Sequence, residues 1–343
     1  ADSPARPLPC ATRRANDLKR RQRCRKHGLM GCTPHHETLR FAILFGSIHA
    51  TRRRPNVSHF CLRWPHIALV VALAQALVGH AQDVPAHAQG LTEELVSVDL
   101  SDRSKQVGVY SIKTGAGQPS KLAVLLPGYP SVVRPVVENG VMTASKLTGN
   151  FLIRARRFLV NDSVASLIVD CPSERGDTCA SGYQASKQRQ DDIDQLIAEV
   201  KRRAPSITEV WLVGTSMGTI SSSFMPTHNP KGYAGAIHTA AITDPYAKNA
   251  YRELGGFDYA KSGVPQFFVH HSSDPCPLTT YASARAIADK FKAPLVIVSG
   301  GTGFQGPACE AFTEHGFRGK EKEVMNAVAA IIKTGKATQL DIN

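Results

Sequence analysis

From Leu91 onward, short runs rich in Val, Ile and Leu alternate with stretches in which apolar residues return every three or four positions. Side chains alternate faces along a strand and recur about every 3.6 residues along a helix, so the two patterns predict alternating strands and helices. Strands are expected over 94–100, 106–113, 121–126, 164–170, 209–213, 233–242, 265–270 and 294–299. The first two read as antiparallel edge strands and the others as buried ones. Helix faces are marked by Ile193, Leu196, Ile197 and Val200, by Ala284, Ile287, Ala288 and Phe291, and by Val324, Ala327, Val328 and Ile331. This alternation predicts an α/β domain with a mostly parallel central sheet and helices on both faces. Only about twenty residues separate Ile242 from Pro265, too few for a large lid domain, so an open site is expected.

One strand runs directly into Gly214-Thr215-Ser216-Met217-Gly218, which is followed by a Ser-rich segment ended by Pro226. In a strand-to-helix turn this tight, flanking side chains would strike neighbouring backbone, so Gly214 and Gly218 suit an elbow that lifts the Ser216 hydroxyl out to solvent. The positive end of the following helix then faces the site. A serine hydroxyl is a poor nucleophile until a base takes its proton, so a histidine and an orienting carboxylate should follow on later loops. Asp274 follows the strand ending at His270, in Ser273-Asp274-Pro275, and His315 follows the last strand, in Glu314-His315-Gly316.

With the elbow at Ser216, the Asp-Pro at Asp274 and the His-Gly at His315, in that chain order, the region from about residue 121 to 335 resembles the α/β-hydrolase superfamily. The resemblance implies the α/β-hydrolase fold and the catalytic set Ser216, Asp274 and His315, with no cofactor and no particular substrate. An oxyanion hole needs two amide donors. Met217, directly after the nucleophile, supplies one. The other is expected from the loop Pro127-Gly128-Tyr129-Pro130; Pro130 has no N–H, which leaves Tyr129. Many relatives begin this loop with His-Gly, where this chain has Pro-Gly.

The competing residues are Asp244 for the acid, and His238, His270 and His271 for the base; these histidines lie in or beside strands. Adjacent His270 and His271 point to opposite faces of a strand and do not form a metal pair. Glu310, Glu314 and His315 are a weaker grouping than the triad, and no metal is expected. Body cysteines number four, and in the implied fold Cys276 with Cys309 would tie the acid loop to the base loop, while Cys171 with Cys179 would close a short loop after another strand.

The formal charge is +13, but 14 basic and 4 acidic residues precede Gly90 while the remainder carries 27 and 24. The body therefore makes no electrostatic case for nucleic acid as a partner. Residues 1–57 read as a basic extension, disordered or outside the natural product. Residues 58–88 read as a secretory signal: Arg52, Arg53, Arg54 and Arg63 precede an apolar run over 67–79, and small residues at Ala81 and Ala88 mark cleavage positions. A bilayer about 30 Å thick needs about 20 apolar residues in helix, so the run is too short for a permanent membrane anchor. Export to the periplasm or beyond, where disulfides persist, leaves residues 89–343 as the hydrolase domain. The expected reaction is hydrolysis of a small-molecule or polymeric carboxylic ester through an acyl-enzyme. Acyl transfer on the same triad, peptide hydrolysis, or ligand binding by a non-catalytic envelope protein of this fold are the alternatives.

Overall fold

A computed structural model describes residues 84–244 and 251–343. The basic extension 1–57, and the signal segment up to residue 83, lie outside the described residues. The first described element is a 3-10 turn, Ala86–Ala88, in which Ala88 is fully buried and His87 Nε2 lies 3.2 Å from the carbonyl oxygen of Met142.

The main sheet has nine strands in the order β1-β2-β6-β3-β7-β8-β9-β10-β11. These are β1 (Leu91–Asp99), β2 (Lys105–Lys113), β3 (Lys121–Leu126), β6 (Val164–Val169), β7 (Glu209–Ser216), β8 (Gly235–Ala241), β9 (Gln266–His271), β10 (Leu295–Val298) and β11 (Asp341–Ile342). The pairs β1/β2 and β2/β6 are antiparallel and all others parallel. The patterns explain the arrangement. Strand β1 exposes alternating side chains as an edge strand does, whereas every residue of β6, β8 and β9 is buried beneath helices.

One face is covered by α1 (Phe151–Leu159) and α6 (Glu321–Thr334), whose Leu152, Ile153, Val324 and Val328 share a core with Leu125, Val213 and Val269. The other face is covered by α3 (Lys187–Arg203), following the short α2 (Ser181–Gln184), and by α4 (Thr219–His228); Ile193, Leu196 and Met225 pack there on Leu122, Leu167 and Leu212. Helix α5 (Tyr281–Phe291) adds Ala288 to a smaller cluster with Phe268 and Tyr259. The three predicted helix stripes are thus α3, α5 and α6.

Several elements differ from expectation. A small antiparallel hairpin, β4 (Val136–Glu138) with β5 (Val141–Ala144), and helix α1 occupy the interval between β3 and β6, and β11 adds an edge strand beside β10. Pro226 does not end its helix. It lies buried inside α4, which continues to His228 although a proline there removes one helical N–H bond and crowds the carbonyl four residues earlier. Among the described residues between β8 and β9 there are only two 3-10 turns, Arg252–Leu254 and Tyr259–Ser262, and no lid domain. The chain passes from β3 to β6 on one side and then to β7 on the other. The loops after β3 and β7 therefore diverge at their carboxyl ends, where a crevice opens in such sheets.

Candidate active site

Two residues separate β7 from α4, and the chain reverses there by taking Ser216 to φ +50°, a left-handed conformation that few side-chain-bearing residues adopt. The reversal demands glycine on both flanks. A Cβ on Gly218 would sit 2.0 Å from the Leu126 carbonyl oxygen, and one on Gly214 would sit 2.4 Å from Ser222 Oγ and 2.7 Å from the Gly218 oxygen. Thr219 locks the turn: its hydroxyl donates to the Ser216 carbonyl at 2.6 Å and accepts the Ile242 amide at 3.1 Å. A half-buried serine is thereby held on a strained strand-to-helix elbow at the carboxyl end of the central strands, ahead of a carboxylate and a histidine on later loops. This is the α/β-hydrolase fold.

The loop after β9 carries Asp274, the candidate acid. The Asp274 carboxylate is out of solvent; Oδ1 accepts the Cys276 amide at 2.9 Å, and Oδ2 lies 3.1 Å from His315 Nδ1. His315 comes from a 3-10 turn, Glu314–Gly316, capped by the Thr313 hydroxyl, which accepts the His315 amide at 3.2 Å. Its neighbours fix the turn. A Cβ on Gly316 would meet the Ala311 oxygen at 1.9 Å, the Gly316 carbonyl accepts Arg154 Nη2 at 2.6 Å, and Phe317 is buried against Phe151 with ring centroids 4.8 Å apart. Ser216 and His315 line one cavity of about 360 Å³ together with Gly128, Tyr129, Leu278 and Phe312.

Of the two oxyanion candidates, Tyr129 lines this cavity and Met217 is the buried neighbour of Ser216, which does. Ser131 shapes the loop after β3: its amide donates to the Gly128 oxygen at 2.7 Å and its hydroxyl to the Pro127 oxygen at 2.7 Å. Among the described residues the amides of Tyr129 and Met217 donate to no protein acceptor. Gly128 comes close to Ser216, since a Cβ there would lie 3.1 Å from Ser216 Cβ.

The competing residues are engaged elsewhere. Asp244 accepts Thr280 Oγ1 at 2.7 Å and Ser283 Oγ at 2.6 Å, bracing the start of α5. His238 is fully buried between Ser222 Oγ (2.8 Å) and Gln266 Oε1 (2.7 Å), and burial brings its pKa down to about 4. His271 accepts the Ser273 amide at 3.1 Å and reaches the Gly300 oxygen at 2.9 Å. Two further residues meet Asp274: Thr279, which the sequence analysis did not single out, and His270, which it weighed only as a competing base or metal ligand. Thr279 Oγ1 lies 2.9 Å from Asp274 Oδ2 and 3.1 Å from His315 Nδ1, and His270 Nε2 lies 3.5 Å from Asp274 Oδ2. Only the position of His270 at the end of its strand signalled a role, and nothing in the sequence marked Thr279.

Disulfides join Cys276 to Cys309 and Cys171 to Cys179, with Cα atoms 4.6 and 5.7 Å apart. Among the described residues no cluster of three His, Cys, Asp or Glu side chains could hold a metal ion, and no helix is long and apolar enough to cross a membrane.

No family model matches the sequence, and no curated protein matches it. Solved structures do resemble it at low identity. A Xanthomonas campestris α/β serine hydrolase without a lid is 12% identical with a TM-score of 0.47, over 71% of this chain and 93% of that one. A Pyrococcus furiosus esterase is 14% identical with a TM-score of 0.47, over 70% and 91%. Oligopeptidase B of Trypanosoma brucei is 12% identical with a TM-score of 0.45, over 74% of this chain and 38% of that one.

Proposed function

We propose that this protein is a serine hydrolase that cleaves carboxylic esters through an acyl-enzyme. One observation carries the reading: His315, hydrogen-bonded to the buried Asp274 at 3.1 Å, lines the same cavity as the strained Ser216. His315 Nδ1 is taken by Asp274, so Nε2 is the nitrogen that accepts the Ser216 proton as Oγ attacks the carbonyl carbon. Asp274 steadies the imidazolium that forms. The amides of Met217 and Tyr129 receive the developing oxyanion, a contribution of about 3 kcal/mol per donor in such sites. His315 returns the proton to the leaving alcohol, and the same groups then activate water against the acyl-enzyme.

Two disulfides fit an exported protein. The test is labelling of the purified domain by a fluorophosphonate probe beside Ser216→Ala, with turnover of short- and long-chain acyl esters. Labelling and turnover that vanish in the variant support the reading. A folded protein that takes no label turns it toward a non-catalytic binding protein, and product appearing only with an alcohol acceptor turns it toward acyl transfer.

A further inference from the structure

Three atoms beside the His315 ring form a closed triangle. Asp274 Oδ2, Thr279 Oγ1 and His315 Nδ1 are separated by 2.9, 3.1 and 3.1 Å. What each atom can carry fixes the protons. An ionised carboxylate only accepts, and a threonine hydroxyl has one hydrogen to give. That hydrogen goes to Asp274 Oδ2 along the shortest side, which turns a lone pair of Thr279 toward His315. Attraction on the remaining side then requires a hydrogen on Nδ1. One N–H thus faces two acceptors in a three-centre bond, and in neutral imidazole the bare nitrogen is Nε2.

Thr279 is held rigidly enough to act this way. It is fully buried, its amide donates to the Cys276 oxygen at 3.1 Å, and its carbonyl lies 2.6 Å from His270 Nε2. A carbonyl only accepts, so His270 carries its hydrogen on Nε2, and Nδ1 is left without a partner in the interior. Burial lowers the pKa of this imidazole from its ordinary value, against the pull of Asp274. A neutral His270 steadies the threonine without placing a second cation beside the carboxylate.

We infer that Thr279 is a positioning residue for the acid–base pair: its hydroxyl offers His315 a second acceptor and fixes the Nδ1–H tautomer jointly with Asp274, while His270 anchors Thr279 through its carbonyl. The kinetic consequence rests on the hydrolase reading, whereas the tautomer does not.

The experiment uses the full chain with its histidines labelled by nitrogen-15. Two-bond proton–nitrogen correlations report the His315 tautomer in the wild type, Thr279→Ser and Thr279→Val, and kcat and KM are measured on the same samples. The wild type and Thr279→Ser are expected to hold Nδ1–H and to differ little in kcat. Thr279→Val is expected to populate the other tautomer and to lose about 10- to 100-fold in kcat at unchanged KM, the range for a lost hydrogen bond at a charged group. A wild-type His315 bare at Nδ1 overturns the inference. So does a valine variant that keeps both its tautomer and the kcat of the serine variant, or one that loses kcat with the tautomer intact. If the valine protein does not fold, Thr279→Ala carries the same comparison. A protein without hydrolase activity still yields the tautomer, so the two readings fail separately.

Discussion

The amide of Cys179 donates to the carbonyl oxygen of Pro130 at 2.9 Å, so the loop closed by the Cys171–Cys179 disulfide directly supports the residue after Tyr129, the proposed oxyanion donor. Asp170, immediately before Cys171, adds to this brace by accepting the Val133 and Arg134 amides at 2.6 and 3.0 Å. The second disulfide performs the equivalent task for Asp274 and His315, joining the residue whose amide binds Asp274 to the loop that leads to His315. Each bridge therefore holds one half of the proposed machinery.

Separate kinetic signatures follow. Replacing Cys171 and Cys179 by serine is expected to lower kcat by about 10-fold with little change in the pH profile, because loosening a donor costs less than the roughly 100- to 1,000-fold of deleting one. Replacing Cys276 and Cys309 is expected to lower kcat and also shift the pH profile, because the partner of His315 moves. Steady-state rates across pH distinguish the two; identical profiles for both double variants would count against this division.

Two glycines near Ser216 should respond differently to the same methyl group. A Cβ on Gly218 would lie 2.0 Å from backbone oxygen, which cannot yield, so Gly218→Ala is expected not to give a stable fold. A Cβ on Gly128 would lie 3.1 Å from Ser216 Cβ, a contact that a small shift relieves. Gly128→Ala is therefore expected to fold and to lose about 100-fold in kcat through displacement of the nucleophile. Circular dichroism melts together with ester turnover check both.

The sequence made the sheet and the elbow legible for a physical reason: strands buried on both faces must be apolar throughout, and a two-residue reversal must be flanked by glycine. Helix α1 stayed hidden because its apolar face contains Arg156, which is completely buried and breaks the stripe through Leu152, Ile153, Ala155 and Leu159. Only the fold reveals its partner Glu93, 63 residues away. Thr279 stayed hidden for a related reason. A threonine in a short turn has no periodicity, and its meaning arises only when the loop after β9 is laid against the loop after β10.

The Glu93–Arg156 pair gives a stability prediction with a definite sign. Arg156 Nε and Nη2 bind the two carboxylate oxygens at 2.8 and 2.7 Å, and Ser111 Oγ and the Met142 amide complete the shell. Burial alone would raise the Glu93 pKa, but the Arg156 hydrogen bonds and charge, with Ser111 and Met142, outweigh it and the pKa is lowered. The stability contributed is therefore present above the ordinary carboxylate range and is lost as pH falls through the lowered value. Arg156→Met is expected to cost about 3–5 kcal/mol by stranding a buried charge, and Glu93→Leu added to it should recover part of that. In the single variant only Ser111 and the Met142 amide still oppose burial, the Glu93 pKa is expected to rise above its ordinary value, and stability should then decline as pH rises. Urea titrations at several pH values read both effects.

We propose that residues 58–88 contain a cleaved secretory signal, and the fold of the described residues bears on where cleavage falls. Cleavage near Ala81 and cleavage near Ala88 differ by the 3-10 turn Ala86–Ala88, which packs as part of the domain: Ala88 is fully buried, its amide donates to the Pro85 oxygen at 2.8 Å, and His87 contacts the Met142 oxygen beside Glu93's own amide donor. Cleavage at Ala88 would remove these contacts and expose the end of α1, so the position near Ala81 is the one compatible with the packed domain. A protein beginning at Val84 is expected to be more stable than one beginning at Gln89 by about 1–2 kcal/mol, the sum of one hydrogen bond and a small buried side chain. N-terminal sequencing of the exported protein should find its first residue at or before Val84; a start at Gln89 with undiminished stability would show that the turn contributes nothing to the fold.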